Sequence, residues 1–175
     1  MFIHKRIIGG SVLTLLLVFT VLGGSGCSTS KKAVVVGPGP TCQEALSTGI
    51  NSFSEHELAG LLDRGLADDQ KESCWIPLMK ACLNENRDVP HRHLAEAVKT
   101  FNKRRYEALF HKAVYRYLSD IAKGNADYRP EDRLLLEDYC RFVINNAGSA
   151  HDKNLGQAQM ICHKLDPELY RQFFE

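Results

Sequence analysis

Apolar residues recur every three or four positions along most of the chain, and this repeat constrains the fold more than any other feature. The clearest stripe contains Tyr106, Leu109, Phe110, Ala113, Val114, Tyr117 and Ile121. Such spacing places apolar side chains on one face of an α-helix. Further stripes begin at Leu58, Trp75, Leu94, Leu135, Leu155 and Leu169, and strand-like patterns are nearly absent after Val36. The sequence therefore predicts an all-α domain of about six to seven short helices.

Start and stop signals divide these stripes into separate helices. Ser54 and Glu57 have the spacing of a capping box, and Ser149 and Asp152 have the same spacing. Pro77 and Pro130 are predicted in first helical turns, where the missing N–H of proline costs nothing. The helix after Pro77 is predicted to run to about Asn84. Short links favour antiparallel neighbours, which leaves an irregular antiparallel bundle and a degenerate helical-hairpin stack as the two architectures.

The first residues have the layout of a secretory signal. A basic start, His4-Lys5-Arg6, precedes an apolar run from Ile7 to Leu22, and small residues follow it. The run is about 16 residues long, shorter than the ~20 that a membrane-spanning helix needs. We therefore expect this segment to be cleaved rather than to remain in the membrane.

The end of this segment, Gly24-Ser25-Gly26-Cys27, resembles the signal of bacterial lipoprotein precursors, although that family usually carries an aliphatic residue at the place of Gly24. The resemblance covers the leader alone. It implies cleavage between Gly26 and Cys27, a diacylglycerol on the Cys27 sulfur and a further acyl chain such as palmitate on its amine. By analogy with Gram-negative sorting, Ser28 implies anchoring in the outer membrane, facing the periplasm. The alternative is an ordinary soluble secreted protein that is cut near Gly26.

These signals divide the chain into three parts. Residues 1–26 are predicted to be a signal peptide, residues 27–41 a lipid-anchored flexible tether with a Gly/Pro-rich end, and residues 42–175 a single helical domain. The last part has enough residues to bury one hydrophobic core.

Five cysteines remain in the domain once Cys27 is assigned to lipid: Cys42, Cys74, Cys82, Cys140 and Cys162. An exported domain can oxidise them. Cys140 and Cys162 flank a predicted helical hairpin, and we predict that they form a disulfide. Cys74 is expected to lie before a helix, free to pair with Cys82 or with Cys42. The alternative is that the cysteines are buried and unpaired and act as small apolar residues.

The charges of the domain are unevenly distributed. The whole chain has 22 basic and 21 acidic residues, which excludes a globally basic nucleic-acid binder. Residues 42–86 contain eight acidic and three basic residues, whereas residues 87–116 contain eight basic and three acidic residues. One interpretation is that these two blocks pack together and neutralise each other. The other is an exposed basic ridge that binds a partner, made of Lys103, Arg104, Arg105, Lys112, Tyr115 and Arg116.

Signatures of catalysis or cofactor binding are missing from the sequence. It contains no nucleophile elbow, zinc-protease motif or phosphate-binding glycine loop, and we predict no metal and no cofactor. His91 and His93 are expected on a solvated first helical turn.

The function that this pattern favours is a membrane-anchored envelope lipoprotein, a non-enzymatic interaction module that docks an envelope protein or an anionic glycan through the basic ridge. Nucleic acid and small-molecule substrates are not expected. The alternative is a cell-wall or glycan hydrolase that uses a lone Glu or Asp of raised pKa in a groove between helices.

Overall fold

The computed structural model describes residues 40–67, 70–102, 104–149 and 152–175. These residues form eight α-helices and no strand, which confirms the predicted all-α class. The helices are α1 (Cys42–Thr48), α2 (Glu55–Ala67), α3 (Ile76–Asn84), α4 (His91–Phe101), α5 (Glu107–Ala122), α6 (Asp132–Asn146), α7 (Lys153–Leu165) and α8 (Pro167–Phe174). Two 3-10 turns at Ile50–Ser52 and Arg104–Tyr106 and a π-helical turn at Lys71–Trp75 connect some of them. No helix within the described ranges is both long enough and apolar enough to span a bilayer.

Helix α5 is the centre of the packing. It contacts α3, α4, α6 and α7, and its side chains Val114, Leu118 and Ile121 are buried among them. A hairpin stack would bring each helix mainly against its sequence neighbours. Packing around one central helix is instead the arrangement of an irregular bundle. Trp75 and Phe101, both fully buried with ring centroids 6.2 Å apart, fill the core near the π-helical turn.

Local signals set most helix boundaries. Glu57 accepts hydrogen bonds from the backbone N–H and the hydroxyl of Ser54, and the Glu57 N–H donates back to Ser54, so the predicted capping box is confirmed. Helix α3 carries Pro77 in its first turn and ends at Asn84, as predicted. Helix α6 begins at Asp132, two residues later than Pro130 suggested.

The cap of α7 differs from the prediction. The Asp152 carboxylate accepts hydrogen bonds from the N–H groups of Asn154 and Leu155 and is itself the cap. Ser149 contributes only its carbonyl oxygen, to the Asp152 N–H. An ionised carboxylate is the stronger acceptor at a helix N-terminus, which accounts for the difference.

Helix α1 was not predicted, and a disulfide attaches it to the bundle. Cys42 at the start of α1 is bonded to Cys74 in the π-helical turn, across 32 residues of sequence. Thr41 and Glu44 add a capping box at the same end. Of the two partners considered for Cys74, the structure therefore selects Cys42. Closing a loop of this length stabilises the fold by about 3.7 kcal/mol in the chain-entropy description.

The other three cysteines of the domain, Cys82, Cys140 and Cys162, are buried free thiols in the structure. Cys140 on α6 and Cys162 on α7 are fully buried, and the neighbouring Cys162 together with burial raises the pKa of the Cys140 thiol. The two sulfurs thus lie side by side without a covalent bond. Their disulfide stays a prediction.

The histidines at the start of α4 contradict the expected solvated turn. His93 is fully buried and contacts Trp75 and Asp63 through its two ring nitrogens. His91 is half-buried, stacks on Tyr117 and lies 2.8 Å from a carboxylate oxygen of Asp120. His91 faces α5, against which the first turn of α4 packs, whereas His93 faces α2 and the π-helical turn.

Candidate functional site

The fold divides the predicted basic ridge. Arg116 is withdrawn from solvent: its side chain is 15% exposed and its guanidinium donates to the carbonyl oxygens of Cys82 and Arg87. It also lies 3.6 Å from the Asp88 carboxylate. A cation at the last carbonyls of a helix stabilises its C-terminus, here that of α3. Arg116 is therefore a structural contact between α5 and α3 rather than part of an exposed ridge.

Lys80 of α3 joins the remaining cations. The Lys80 ammonium and the Arg105 guanidinium each lie 4.6 Å from the centre of the Tyr106 ring. Both cations therefore share one aromatic ring, through contacts worth about 0.5–1 kcal/mol each at exposed sites. Sequence reasoning missed Lys80 because it belongs to the acidic block, and only the docking of α3 against the start of α5 brings it here.

Lys112 continues the same seam. Its ammonium donates a 2.9 Å hydrogen bond to the side-chain oxygen of Asn84, one helical turn after Lys80 on α3. We call the cations along this seam the α3–α5 basic patch, which consists of Lys80, Arg104, Arg105 and Lys112. Within the described part of the chain, none of the four has a carboxylate within 4 Å. Lys103, also predicted in the ridge, lies outside the described residues.

Neutralisation between the acidic and basic blocks occurs away from this patch. Asp63 of the acidic block receives two hydrogen bonds from the Arg92 guanidinium, at 2.9 and 2.6 Å. Lys71 pairs with Glu96 at 2.5 Å. The two blocks therefore neutralise each other only in part: Arg92 near the start of α4 pairs with Asp63, whereas the cations of the patch have no carboxylate partner among the described residues. Binding of a partner by these cations stays a prediction.

A cleft of about 240 Å³ lies between α5, α6 and α7, next to the patch. Lys112 belongs to the patch and also lines the cleft. Tyr115, predicted as an exposed ring of the ridge, is half-buried in this cleft, with its ring centre 6.3 Å from that of Tyr139. One turn earlier on α5, the His111 ring stacks on Phe142 of α6, with ring centres 3.4 Å apart and planes 9° from parallel. Burial lowers the pKa of the His111 imidazole, which favours its neutral form.

Several carboxyl groups of the described residues lack the environment that acid catalysis requires. A general acid needs a raised pKa. Hydrogen bonds or ion pairs instead lower the pKa of Glu44, Glu57, Asp63, Glu96 and Asp166.

Asp132 is the buried carboxylate of the described chain. It accepts hydrogen bonds from the Tyr117 hydroxyl at 2.8 Å and from the Arg129 N–H at 2.9 Å, at the start of α6. These contacts tie the start of α6 to the preceding turn and to the core, which is a structural role, and they lend the hydrolase alternative no support. Among the described residues no cluster of three or more His, Cys, Asp and Glu side chains is arranged to hold a metal ion.

The predicted cleavage and lipidation residues, Gly26 and Cys27, lie outside the described residues. Comparison with models of protein families, with curated proteins and with solved structures finds no match for this chain. The patch and the cleft are therefore the features of the described domain that indicate its function.

Proposed function

We propose that this protein is a lipid-anchored envelope lipoprotein that acts as a non-enzymatic interaction module, and that its α3–α5 basic patch docks an anionic envelope component, a protein face or a glycan. The observation that carries the proposal is the set of four cations without a carboxylate partner in the described chain, two of them on the Tyr106 ring. Elsewhere in the described part of the domain, some basic side chains such as Arg92 and Arg133 have such partners and others such as Lys123 do not, so the patch is distinguished by the grouping of its four cations along one seam.

Repulsion between the patch cations and the restricted motion of their side chains both favour binding of an anion. Like charges that lie close together repel, so an unpaired group of cations destabilises the free protein slightly and favours an anionic partner. Lys80, Arg105 and Lys112 are already held by Tyr106 and Asn84. Their side chains therefore lose less conformational entropy on binding than free lysines and arginines would.

The anchoring part of the proposal has separate support. The lipoprotein-like leader implies export and lipid on Cys27, and Ser28 implies the outer membrane. The Cys42–Cys74 disulfide is of the kind that persists in an oxidising compartment such as the periplasm.

The test is charge reversal of the patch in the full-length protein. We expect the triple variant Lys80→Glu, Arg105→Glu and Lys112→Glu to lower the recovery of the cross-linked partner from intact envelopes at least tenfold, since each rim charge contributes to steering and affinity. Raising the salt concentration should weaken capture by the unaltered protein in the same direction, because the charges lie at the surface.

The matched control is a variant with the same change in net charge at residues outside the patch. Lys123, Lys153 and Arg171 are exposed cations outside the patch, and their triple change to Glu should leave recovery unchanged. Both triple variants should unfold at the temperature of the unaltered protein to within a few degrees. Equal recovery with the two variants would refute the role of the patch.

A further inference from the structure

We infer that the cleft between α5, α6 and α7 binds one acidic sugar residue of an envelope glycan, whose neighbouring residues lie along the basic patch. This inference rests on the proposed function, because it chooses the glycan among the anionic partners of the same surface. The cleft and the patch meet at Lys112, which belongs to the patch and also lines the cleft. A single ligand can therefore reach both.

The walls of the cleft offer flat apolar surface. Phe142 of α6, with His111 stacked on it, lines the cleft together with Tyr115 of α5, which is half-buried. A pyranose ring has a face of C–H groups, which packs favourably against aromatic rings through dispersion and contact with the ring electrons. The volume of about 240 Å³ is below the ~300–1,000 Å³ of sites for drug-sized ligands and suits one ring rather than several.

The polar groups of the cleft match hydroxyl groups. The side-chain amides of Asn154 and Gln157 line it, and neither has a hydrogen-bond partner in the part of the protein that the structure describes. Each amide offers donors and an acceptor. A neutral His111 imidazole adds one donor and one acceptor. Sugar hydroxyls both donate and accept, so they can satisfy all three side chains at once.

The charges of the cleft select an acidic sugar. Lys112 supplies a cation that has no carboxylate partner among the described residues. Asp152 also lines the cleft, but one of its carboxylate oxygens is taken up by the N–H groups at the start of α7. A carboxylate on the ligand would therefore be placed at the Lys112 end, and charge-assisted hydrogen bonds of this kind are the stronger ones.

The experiment uses the full-length protein in detergent micelles, with galacturonate and glucuronate as probes. Each sugar is tested as the monosaccharide and as a short oligomer, and each of these is also tested as its methyl ester. The esters keep the ring and remove the charge. We expect the acids to bind at least tenfold more tightly than the esters, by ligand-observed NMR and calorimetry. Lys112→Gln should abolish this preference while the residual affinity for the esters stays unchanged.

Variants separate the cleft from the patch. Asn154→Ala with Gln157→Ala changes two solvent-accessible side chains and should weaken monosaccharide and oligomer binding about tenfold. Lys80→Glu with Arg105→Glu should weaken oligomer binding only. Unfolding temperatures of both variants check that the fold is retained.

Failure of this inference differs from failure of the proposed function. Oligomer binding that is lost in the patch variant and unaffected in the cleft variant would overturn the sugar site and leave the patch as a docking surface. Partner capture that survives reversal of the patch would instead refute the proposed function. Equal binding of acids and esters, or no binding of either hexuronate at millimolar concentration, would also overturn the sugar site.

Discussion

His93 shows how a single residue can fix the local chemistry of the core. The indole N–H of Trp75 donates to Nδ1 of His93 at 3.2 Å, so that nitrogen carries no proton. The proton of the neutral ring is therefore on Nε2, which donates to the Asp63 carboxylate at 3.0 Å. Arg92 holds that carboxylate from the other side. Protonation of His93 would place a second donor against the Trp75 N–H, so the arrangement accommodates only the neutral tautomer.

We predict that the stability of the protein falls as the pH falls below about 6.5. Burial lowers the pKa of His93 in the folded state, against the opposing effect of Asp63. Between the two pKa values the unfolded chain binds the proton that the folded chain excludes, so acidification favours unfolding. Denaturant titrations at pH 8, 7, 6 and 5 would measure this slope.

The variant that tests this assignment is His93→Gln. We expect it to lose about 1–3 kcal/mol at pH 8 and to have a smaller slope between pH 7 and 5. Some slope should remain, because burial also lowers the pKa of His111. His163→Gln, at an exposed position, serves as the control and should keep the full slope. An unchanged slope in His93→Gln would show that other titratable groups cause the pH dependence of stability.

Among the elements, α2 and the π-helical turn approach each other most closely at Gly65. A β-carbon there would lie 3.1 Å from the backbone nitrogen of Trp75 and 3.2 Å from the disulfide sulfur of Cys74. Neither atom can yield easily, because one belongs to the backbone and the other to a cross-link. We therefore expect Gly65→Ala to destabilise the protein by about 1–3 kcal/mol.

The same helix provides the matched control for this prediction. A β-carbon on Gly60 would meet only the end of the Arg64 side chain, at 3.6 Å. Gly60→Ala should stabilise the protein by up to about 0.5–1 kcal/mol through helix propensity. Denaturant unfolding of the two variants in parallel measures the difference. A Gly65→Ala protein as stable as Gly60→Ala would show that α2 and the π-helical turn can separate at this point without cost.

Helices with long apolar stripes could be predicted from the sequence, because burial of one face and a local cap together determine them. Helix α1 could not: among its residues only Ala45 is buried, and its attachment depends on the distant Cys74. The Thr41 and Glu44 spacing was its one local signal. The π-helical turn likewise follows from how α2 and α3 are joined, for which the sequence carries no periodic pattern.

The candidate site was predictable to the same extent. Arg105 and Lys112 lie on the polar side of the start of α5, and their exposure follows from the apolar stripe of that helix. The burial of Arg116 and the arrival of Lys80 both depend on where α3 docks. That docking is a tertiary contact between residues about 30 positions apart, and single-sequence periodicity does not report it.

For the molecule as a whole, a formal net charge of +1, or −1 without the predicted signal peptide and its Lys5 and Arg6, means that attraction to an anion comes from the local patch rather than from the total charge. Surface charges act over about 8 Å at physiological ionic strength. A lipid anchor on Cys27 would hold the patch near other envelope components and raise their effective concentration. With an anchor of this kind, a local group of cations would be enough to attract an anionic partner, and a strongly basic protein would not be required.

Intact mass spectrometry of the membrane-extracted protein tests the anchor and the remaining disulfide together. We expect a chain that begins at Cys27 and carries a diacylglycerol and an acyl group. The predicted Cys140–Cys162 disulfide forms when the two thiols pass two electrons and two protons to a disulfide-bearing oxidant in the envelope. If it has formed, only Cys82 should react with an alkylating reagent after denaturation without reduction. Alkylation of three thiols would leave that pair reduced, as in the structure. Cys27→Ser should give an unacylated chain, and an unacylated native protein would refute the lipoprotein prediction.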